Sequence, residues 1–303
     1  MSPNSRNLLL VIIMLAGFVT PGPGADGKGG QAGAFLRLGA GARASAMGNA
    51  YTSVADEASA IYWNPASLGF LPRPQLLGMY SALSLERRHS FVAYAQPNLI
   101  KGFSIGAGWL HSGVGEIDGR DAFGNPSEKF DNAENAFLFG VAWRRSFLAV
   151  GATAKYLRHS LANNSASGSS LDIGLQLRLK EFLAIGFVAQ DLFGEMKWNT
   201  PAKTLAELPA VLRGGVRIRP VALPVLLSGE VVRLDGELAL HAGMEYRLLK
   251  ALGMRAGYND GQLAVGGFIA IPASAFHVQL DYAFSNDVLD EGAVHRVALL
   301  LEF

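Results

Sequence analysis

From residue 75 to residue 303 the chain is written in a two-residue period. In 238–248, Leu238, Leu240, Ala242, Met244, Tyr246 and Leu248 fall on one face. Ala239, His241, Gly243, Glu245 and Arg247 fall on the other. In 275–285, Phe276, Val278, Leu280, Tyr282 and Phe284 oppose His277, Gln279, Asp281 and Ser285. In 170–180, Leu171, Ile173, Leu175, Leu177 and Leu179 oppose Asp172, Gln176, Arg178 and Lys180. Strict alternation of this kind is the signature of β-strands, because successive side chains leave opposite faces. About fourteen such runs follow one another: 75–85, 89–97, 102–113, 134–145, 147–160, 170–180, 182–192, 210–219, 224–234, 238–248, 251–259, 262–271, 275–285 and 293–303. Most are about ten residues long, against a usual ~5–6 for globular strands. That is the length that crosses a bilayer at a tilt.

A soluble β-sandwich also alternates, but its outward faces carry many charges. Here only 17% of the 303 residues are charged and 50% are hydrophobic, where a soluble domain carries about a quarter charged. No segment offers 18 uninterrupted apolar residues, so spanning helices are not expected. Lipid tolerates no open sheet edge, which leaves a closed barrel with apolar residues outward and polar residues toward the lumen. The expected fold is therefore all-β: a transmembrane antiparallel β-barrel of about 14 strands with a small, partly helical N-terminal plug. Connections at 144–146, 179–182, 248–251 and 271–275 read as tight. Those at 114–133, 161–169, 193–209 and 286–292 read as longer and polar, with shorter ones at 234–237 and 259–262. Short turns on one side and long loops on the other are the barrel pattern, and an even strand number returns both mature ends to the short-turn, periplasmic side.

The first 25 residues read as a secretory signal peptide. Arg6 supplies the positive start, 8–19 is mostly apolar but too short for the ~20 residues of a membrane anchor, and Pro21-Gly22-Pro23-Gly24-Ala25 offers small residues for cleavage. Residues 26–73 form the expected plug and 74–303 the barrel, with Pro72 and Pro74 at the boundary, where a missing N–H does no harm.

Within the plug, 39–69 (GAGARASAMGNAYTSVADEASAIYWNPASLG) is rich in Gly and Ala and holds three charges: Arg43, Asp56 and Glu57. Asp56 and Glu57 suit the start of a short helix, as cap and as an acid against the dipole. Asn64-Pro65 stops that helix after Trp63. It opens a second turn through Ala66 with Asn64 as cap and Pro65 in first position, and Gly69 is expected to end it. Taken alone, the same residues would also suit a helix-turn-helix on a soluble core.

The run GARASAMGNAYTSVADEASAIYWNPASLGF resembles the opening of the FadL-type outer-membrane transporters and, more closely, the PorV/PorQ branch of that superfamily. There Gly-Ala-Arg, Met-Gly-Asn/Gly-Ala, an acidic Ala-Asp pair and Trp-Asn-Pro-Ala recur in this order. The resemblance covers about thirty residues; the barrel that follows matches in architecture and length alone. It implies the bacterial outer membrane, passage of a hydrophobic, fatty-acid-like small molecule between wall and plug, and a plug gate at Trp63, Asn64, Pro65 and Ala66. The PorV/PorQ branch implies a different role, a docking subunit of a protein secretion machine, with contacts on 114–133 and 193–209. A purely structural barrel is a third possibility. The closing strand AVHRVALLLEF, ending in Phe303, looks like the signal read by the barrel-assembly machinery.

Charges gather on the expected inward faces. Arg213, Arg217 and Arg219 share one face, and Glu230, His241, Glu245, Arg247, Arg255, His277 and Asp281 follow on later strands. They read either as a satisfied network stiffening the wall or as a patch that holds the plug or a carboxylate head group. A net charge of +1 gives no case for nucleic acid, and the absence of Cys removes thiolate chemistry. No nucleophile elbow, catalytic pair or cofactor loop is recognisable: Gly39-Ala40-Gly41 lies outside any βαβ unit. Neither an enzyme nor a cofactor is expected. Asp118, Asp121, Glu128, Asp131 and Glu134 lack Ca²⁺-loop spacing and read as a solvated loop, so no metal is expected.

Overall fold

The computed structural model describes residues 31–121, 123–272, 276–287 and 292–303; the expected signal peptide lies outside them. The alternating runs form fourteen long strands and one short one. The first seven are β1 (Gln75–Ala82), β2 (Arg88–Ile100), β3 (Phe103–Ile117), β4 (Phe130–Arg145), β5 (Leu148–Leu161), β6 (Asn164–Leu179) and β7 (Leu183–Trp198). The short β8 (Leu205–Glu207) pairs only with the end of β7. Then come β9 (Val211–Ile218), β10 (Val225–Leu234), β11 (Glu237–Leu249), β12 (Leu252–Asn259), β13 (Gln262–Pro272), β14 (His277–Asn286) and β15 (Ala293–Glu302).

Each long strand pairs antiparallel with its neighbours in sequence, β7 with β9, and β1 closes on β15 from Gln75↔Glu302 to Ala82↔His295. The sheet is a closed fourteen-stranded barrel. Its outer surface is apolar. Ile105, Phe139, Val141, Phe187, Leu240, Met254, Val265, Ile269, Leu280 and Leu299 are all exposed, on a wall whose inward faces hold Gln75, His89, Thr153, Lys155, Asp172 and Asp281 out of solvent. Exposed rings cluster at two levels. Trp109, Phe137 and Tyr156 are cross-strand neighbours on β3–β5, and Tyr94 stacks on Phe303 at the other end, near Phe103 and its partner Trp143. Apolar flanks between aromatic girdles fit a bilayer.

Strand ends differ from expectation. β3, β4, β6 and β7 reach 15–16 residues, whereas β9 and β12 have eight. The expected loop at 161–169 is instead a hairpin turn between Leu161 and Asn164, with 164–169 continuing β6, because its Ser and Ala residues alternate into the ladder. The rim carrying 118–129 and 199–210 is called here the loop rim, and the opposite one the turn rim.

The plug fills the lumen. Its pieces are a 3-10 turn Ala34–Arg37, a helix Ala42–Ala46, a helix Ala60–Trp63 and a 3-10 turn Pro65–Phe70. It runs downward from the loop rim, where Gln31 donates to Asp235 between β10 and β11 at 2.9 Å, to the turn rim, where Pro74 O accepts from Phe303 N at 3.1 Å. Both ends of the mature chain were expected at the turn rim; the first described residue stands at the other one. Small residues explain how a plug fits: Gly48 (φ +61) lies against the backbone of Tyr258, a contact that any Cβ would block. Gly257 on β12, Gly151 on β5 and Gly174 on β6 make room in the same way for Gly48, Pro65 and Asn64.

Two local expectations change. Asp56 does not cap the helix Ala60–Trp63, which starts after Ser59 with no side-chain cap, because Asp56 is taken by Arg43. Gly69 does not end the second turn, which continues to Phe70. Asn64 does cap it, accepting from Ala66 N at 3.2 Å with Pro65 in first position.

Candidate functional site

Arg43, on the plug helix Ala42–Ala46, faces β11–β14. Its Nε donates to Glu245 Oε2 at 2.8 Å and its Nη1 to Asp56. Arg255 on β12 donates to the same Glu245 oxygen at 2.8 Å and reaches across β13 to Asp281 on β14. Its guanidinium lies 4.6 Å from the centre of the Phe268 ring. Gln279 donates to both Asp281 oxygens at 3.0 Å. Charge is thus shared between plug and wall in a dry setting, where each ion depends on its partners.

Glu57 stands beside this network with 1% of its surface exposed. Its Oε1 accepts from Ser59 Oγ at 2.9 Å, and its nearest cation atom, Arg43 Nη1, is 4.0 Å from Oε2. Burial pushes its carboxyl up to about 7 despite the pull of Arg43. For Asp56, burial acts in the same direction but loses to Arg43, aided by Arg178, Arg217 and Arg219, which holds its carboxyl well below the usual range.

A second ionic grip lies on β9 and β10. Glu230 accepts from Thr52 N at 2.8 Å and from Arg213 Nη1 at 3.0 Å. Arg213 also donates to Gln190 at 2.8 Å, and its guanidinium sits 5.3 Å from the Trp63 ring. Trp63 Nε1 donates to Ala40 O at 2.7 Å, tying the two plug helices together.

Against β5–β7, away from Arg178 at the turn rim, the grip is neutral. Thr153 Oγ1 donates to Ile61 O at 2.9 Å, Gln176 to Ser53 O at 3.0 Å and Gln190 to Tyr62 O at 2.7 Å. Asn64 Nδ2 donates to Thr52 O at 3.0 Å, Leu175 O at 3.2 Å and Gln176 Oε1 at 3.1 Å. The charges of this half, Lys155, Asp172 and Asp191, pair with one another: Lys155 Nζ is 2.8 Å from each carboxylate.

The structure therefore sorts the expected residues into groups. Arg43, Asp56, Glu57, Glu245, Arg255 and Asp281 come together. Arg213 and Glu230 join Trp63. Asn64, Pro65 and Ala66 meet β5 and β6. His241 lines a cavity of about 290 Å³ at the loop rim with Val211, Val232, Leu234 and Leu238. Arg217, Arg247 and His277 open instead into a basin at the turn rim, so the two His residues face opposite ends of the barrel. Asp121 and Asp131 are used within their own loop, by Asn125 and Phe123 and by Glu116 N. Sequence reading missed Thr153, Gln176, Gln190 and the Lys155 cluster. Inward parity marks the first three, but nothing in sequence marks which of them face plug carbonyls.

No family model matches the chain, and no curated protein matches it. Among solved structures, the chain is similar to the toluene transporter TodX of Pseudomonas putida, with a TM-score of 0.61 at 13% identity, covering 88% of this chain and 99% of TodX. It is likewise similar to a FadL homologue of Pseudomonas aeruginosa, TM-score 0.56 at 9% identity, over 86% and 96% of the two chains. The fold is that of these barrels, shared over most of each chain with few identical residues.

Proposed function

We propose that this chain is an outer-membrane channel for hydrophobic small molecules, fatty-acid-like in character, with the turn rim toward the periplasm. The observation that carries the reading is a plug that closes the lumen, below a half-apolar cavity open at the loop rim. Val211, Val232, Leu234 and Leu238 offer that cavity a dry wall, and Arg213 and His241 a polar floor. A molecule held there meets Trp63 and the plug next, so passage requires plug movement.

The contacts support a place of movement. The Asn64-Pro65-Ala66 step is bonded to β6 and wedged against Gly151 and Gly174, and serves as the fixed pivot. The arm around Arg43 swings, because its hold on the wall is by side-chain ion pairs that water and solvent ions can replace, whereas the wedged step would have to leave glycine recesses shaped to it.

The test is uptake of a labelled apolar probe into lipid vesicles holding the purified protein. Gly69 and Ala149 bring Cβ positions within 3.5 Å, close enough for a disulfide, and the chain has no other Cys. Gly69→Cys with Ala149→Cys, oxidised, leaves uptake intact if the pivot is fixed and abolishes it if that end must swing. Uptake by the unlocked protein no faster than by protein-free vesicles removes the transport reading. A stable large complex on native gels without uptake supports instead the docking role of the PorV/PorQ branch.

A further inference from the structure

The basin at the turn rim lies at the other end of the lumen from the apolar cavity, and Arg43 and Asp56 line part of it. It has two lobes, about 540 and 590 Å³, that share Asp56, Phe70, Arg178 and Arg219. Arg144, Lys180 and Arg217 line one lobe, Arg247 and Lys250 the other. These cations come from four separate stretches of the wall, and they outnumber the acids. Of the acidic lining residues, Asp56 is engaged by Arg43 and Glu302 accepts from Gln75 at 2.7 Å, which leaves Glu181.

Two of the guanidinium groups are fixed in place without an acidic hydrogen-bond partner. Arg178 lies 4.5 Å from the Phe70 ring centre and Arg144 lies 4.4 Å from it, so the ring is clasped by two cations. The hydrogen bonds of Arg178 and Arg217 are single, long ones, to Phe70 O and Glu181 O, each 3.5 Å. Nε and Nη2 of Arg178 and Nε of Arg217 are withdrawn from solvent with no partner among the described residues, and Arg217 as a whole is 4% exposed. Burying guanidinium donors without acceptors is costly, and a wall that does so on the ends of β6 and β9, either side of β7, is incomplete as it stands.

We propose that this basin is a binding site for a phosphate-type oxyanion carrying about two or more negative charges, either a phosphorylated small molecule or the phosphomonoester of a lipid head group. Guanidinium forks match phosphate oxygens in pairs, and pinned forks lose little freedom when the anion arrives. A single carboxylate would leave most of these cations unmatched. Because Asp56 and Phe70 belong to the plug while Arg178, Arg217 and Arg219 belong to the wall or its edge, the bound anion bridges the two.

Isothermal titration of the mature protein in non-ionic micelles with pyrophosphate, at low salt, tests this. Saturable binding is expected, weakened by added salt. Arg178→Gln with Arg217→Gln weakens it at least tenfold, whereas Arg158→Gln with Lys203→Gln, at the loop rim, leaves it unchanged. Thermal unfolding without anion checks that the variants fold. Arg219→Gln with Lys250→Gln alters exposed side chains only and gives a second loss independent of burial. Repeating the titration in lipid discs separates the sources. Weaker pyrophosphate binding in discs with a phosphomonoester lipid than in discs of matched surface charge made with a phosphodiester lipid identifies a head group, and equal binding identifies a soluble phosphate ester. No saturable binding to the unaltered protein, or full binding by the folded double-glutamine variants, overturns the proposal.

Discussion

Along β2–β7 the wall takes hold of the plug with uncharged groups except at the turn rim, where Arg144 and Arg178 clasp Phe70, and along β9–β15 it does so with ion pairs. In the first half, whose strands reach 16 residues, Thr153, Gln176 and Gln190 meet plug carbonyls, while Lys155, Asp172 and Asp191 satisfy one another within the wall. In the second, Glu245, Arg255 and Glu230 are completed only when Arg43 and Thr52 are present. The buried ion cluster of the first half would stay paired if the plug withdrew; that of the second would not. Where a wall lends its own charges to a plug, plug position becomes something that water or ions can bias.

The largest expected consequence falls on the charged half. Glu245→Ala removes the carboxylate that Arg43 and Arg255 share, leaving them Asp56 and Asp281 respectively, and costs about 3 kcal/mol, the low end for breaking a buried pair. Urea unfolding in lipid vesicles measures it, and a loss below about 1 kcal/mol would erase the contrast between halves. Next comes Gly151→Val, which drives a side chain into the backbone at Pro65 and Ala66. Overpacking of this kind costs about 1–3 kcal/mol, and protease should then reach the plug in folded barrels. Gln176→Ala is milder. It leaves Ser53 O without its donor, at about 1 kcal/mol by the same unfolding measurement.

A pH dependence is expected as well. Glu57 prefers its proton in the folded state, up to about 7 against an ordinary 4.5. Between those values the unfolded chain binds fewer protons, so stability falls as pH rises through the window and levels off above it. Unfolding midpoints at pH 5 and pH 7.5 should differ by a few degrees, roughly 2–4 °C per kcal/mol for a chain of this class, and Glu57→Gln should flatten the difference.

The barrel was legible because its code is redundant: a face such as Leu238 to Leu248 repeats one message six times. Strand ends were less so, since 164–169 is small and polar and resembles a loop until β5 supplies its partner. The role of Asp56 was misread because the local signal, an acid before a helix, is the same whether it caps or pairs; Arg43, thirteen residues earlier, decides it. Gly151 and Gly174 carry no pattern at all. Their meaning is the plug atom opposite, which only the folded chain reveals.

The seam between β1 and β15 has a consequence for the plug. Residues 293–302 supply the edge to which Gln75–Ala82 joins, across the whole order of strands, whereas the plug lies beside β1 in sequence. A ring closed by its two most distant strands, around a plug seated in glycine-lined recesses, leaves no gap in the sheet through which that plug could pass.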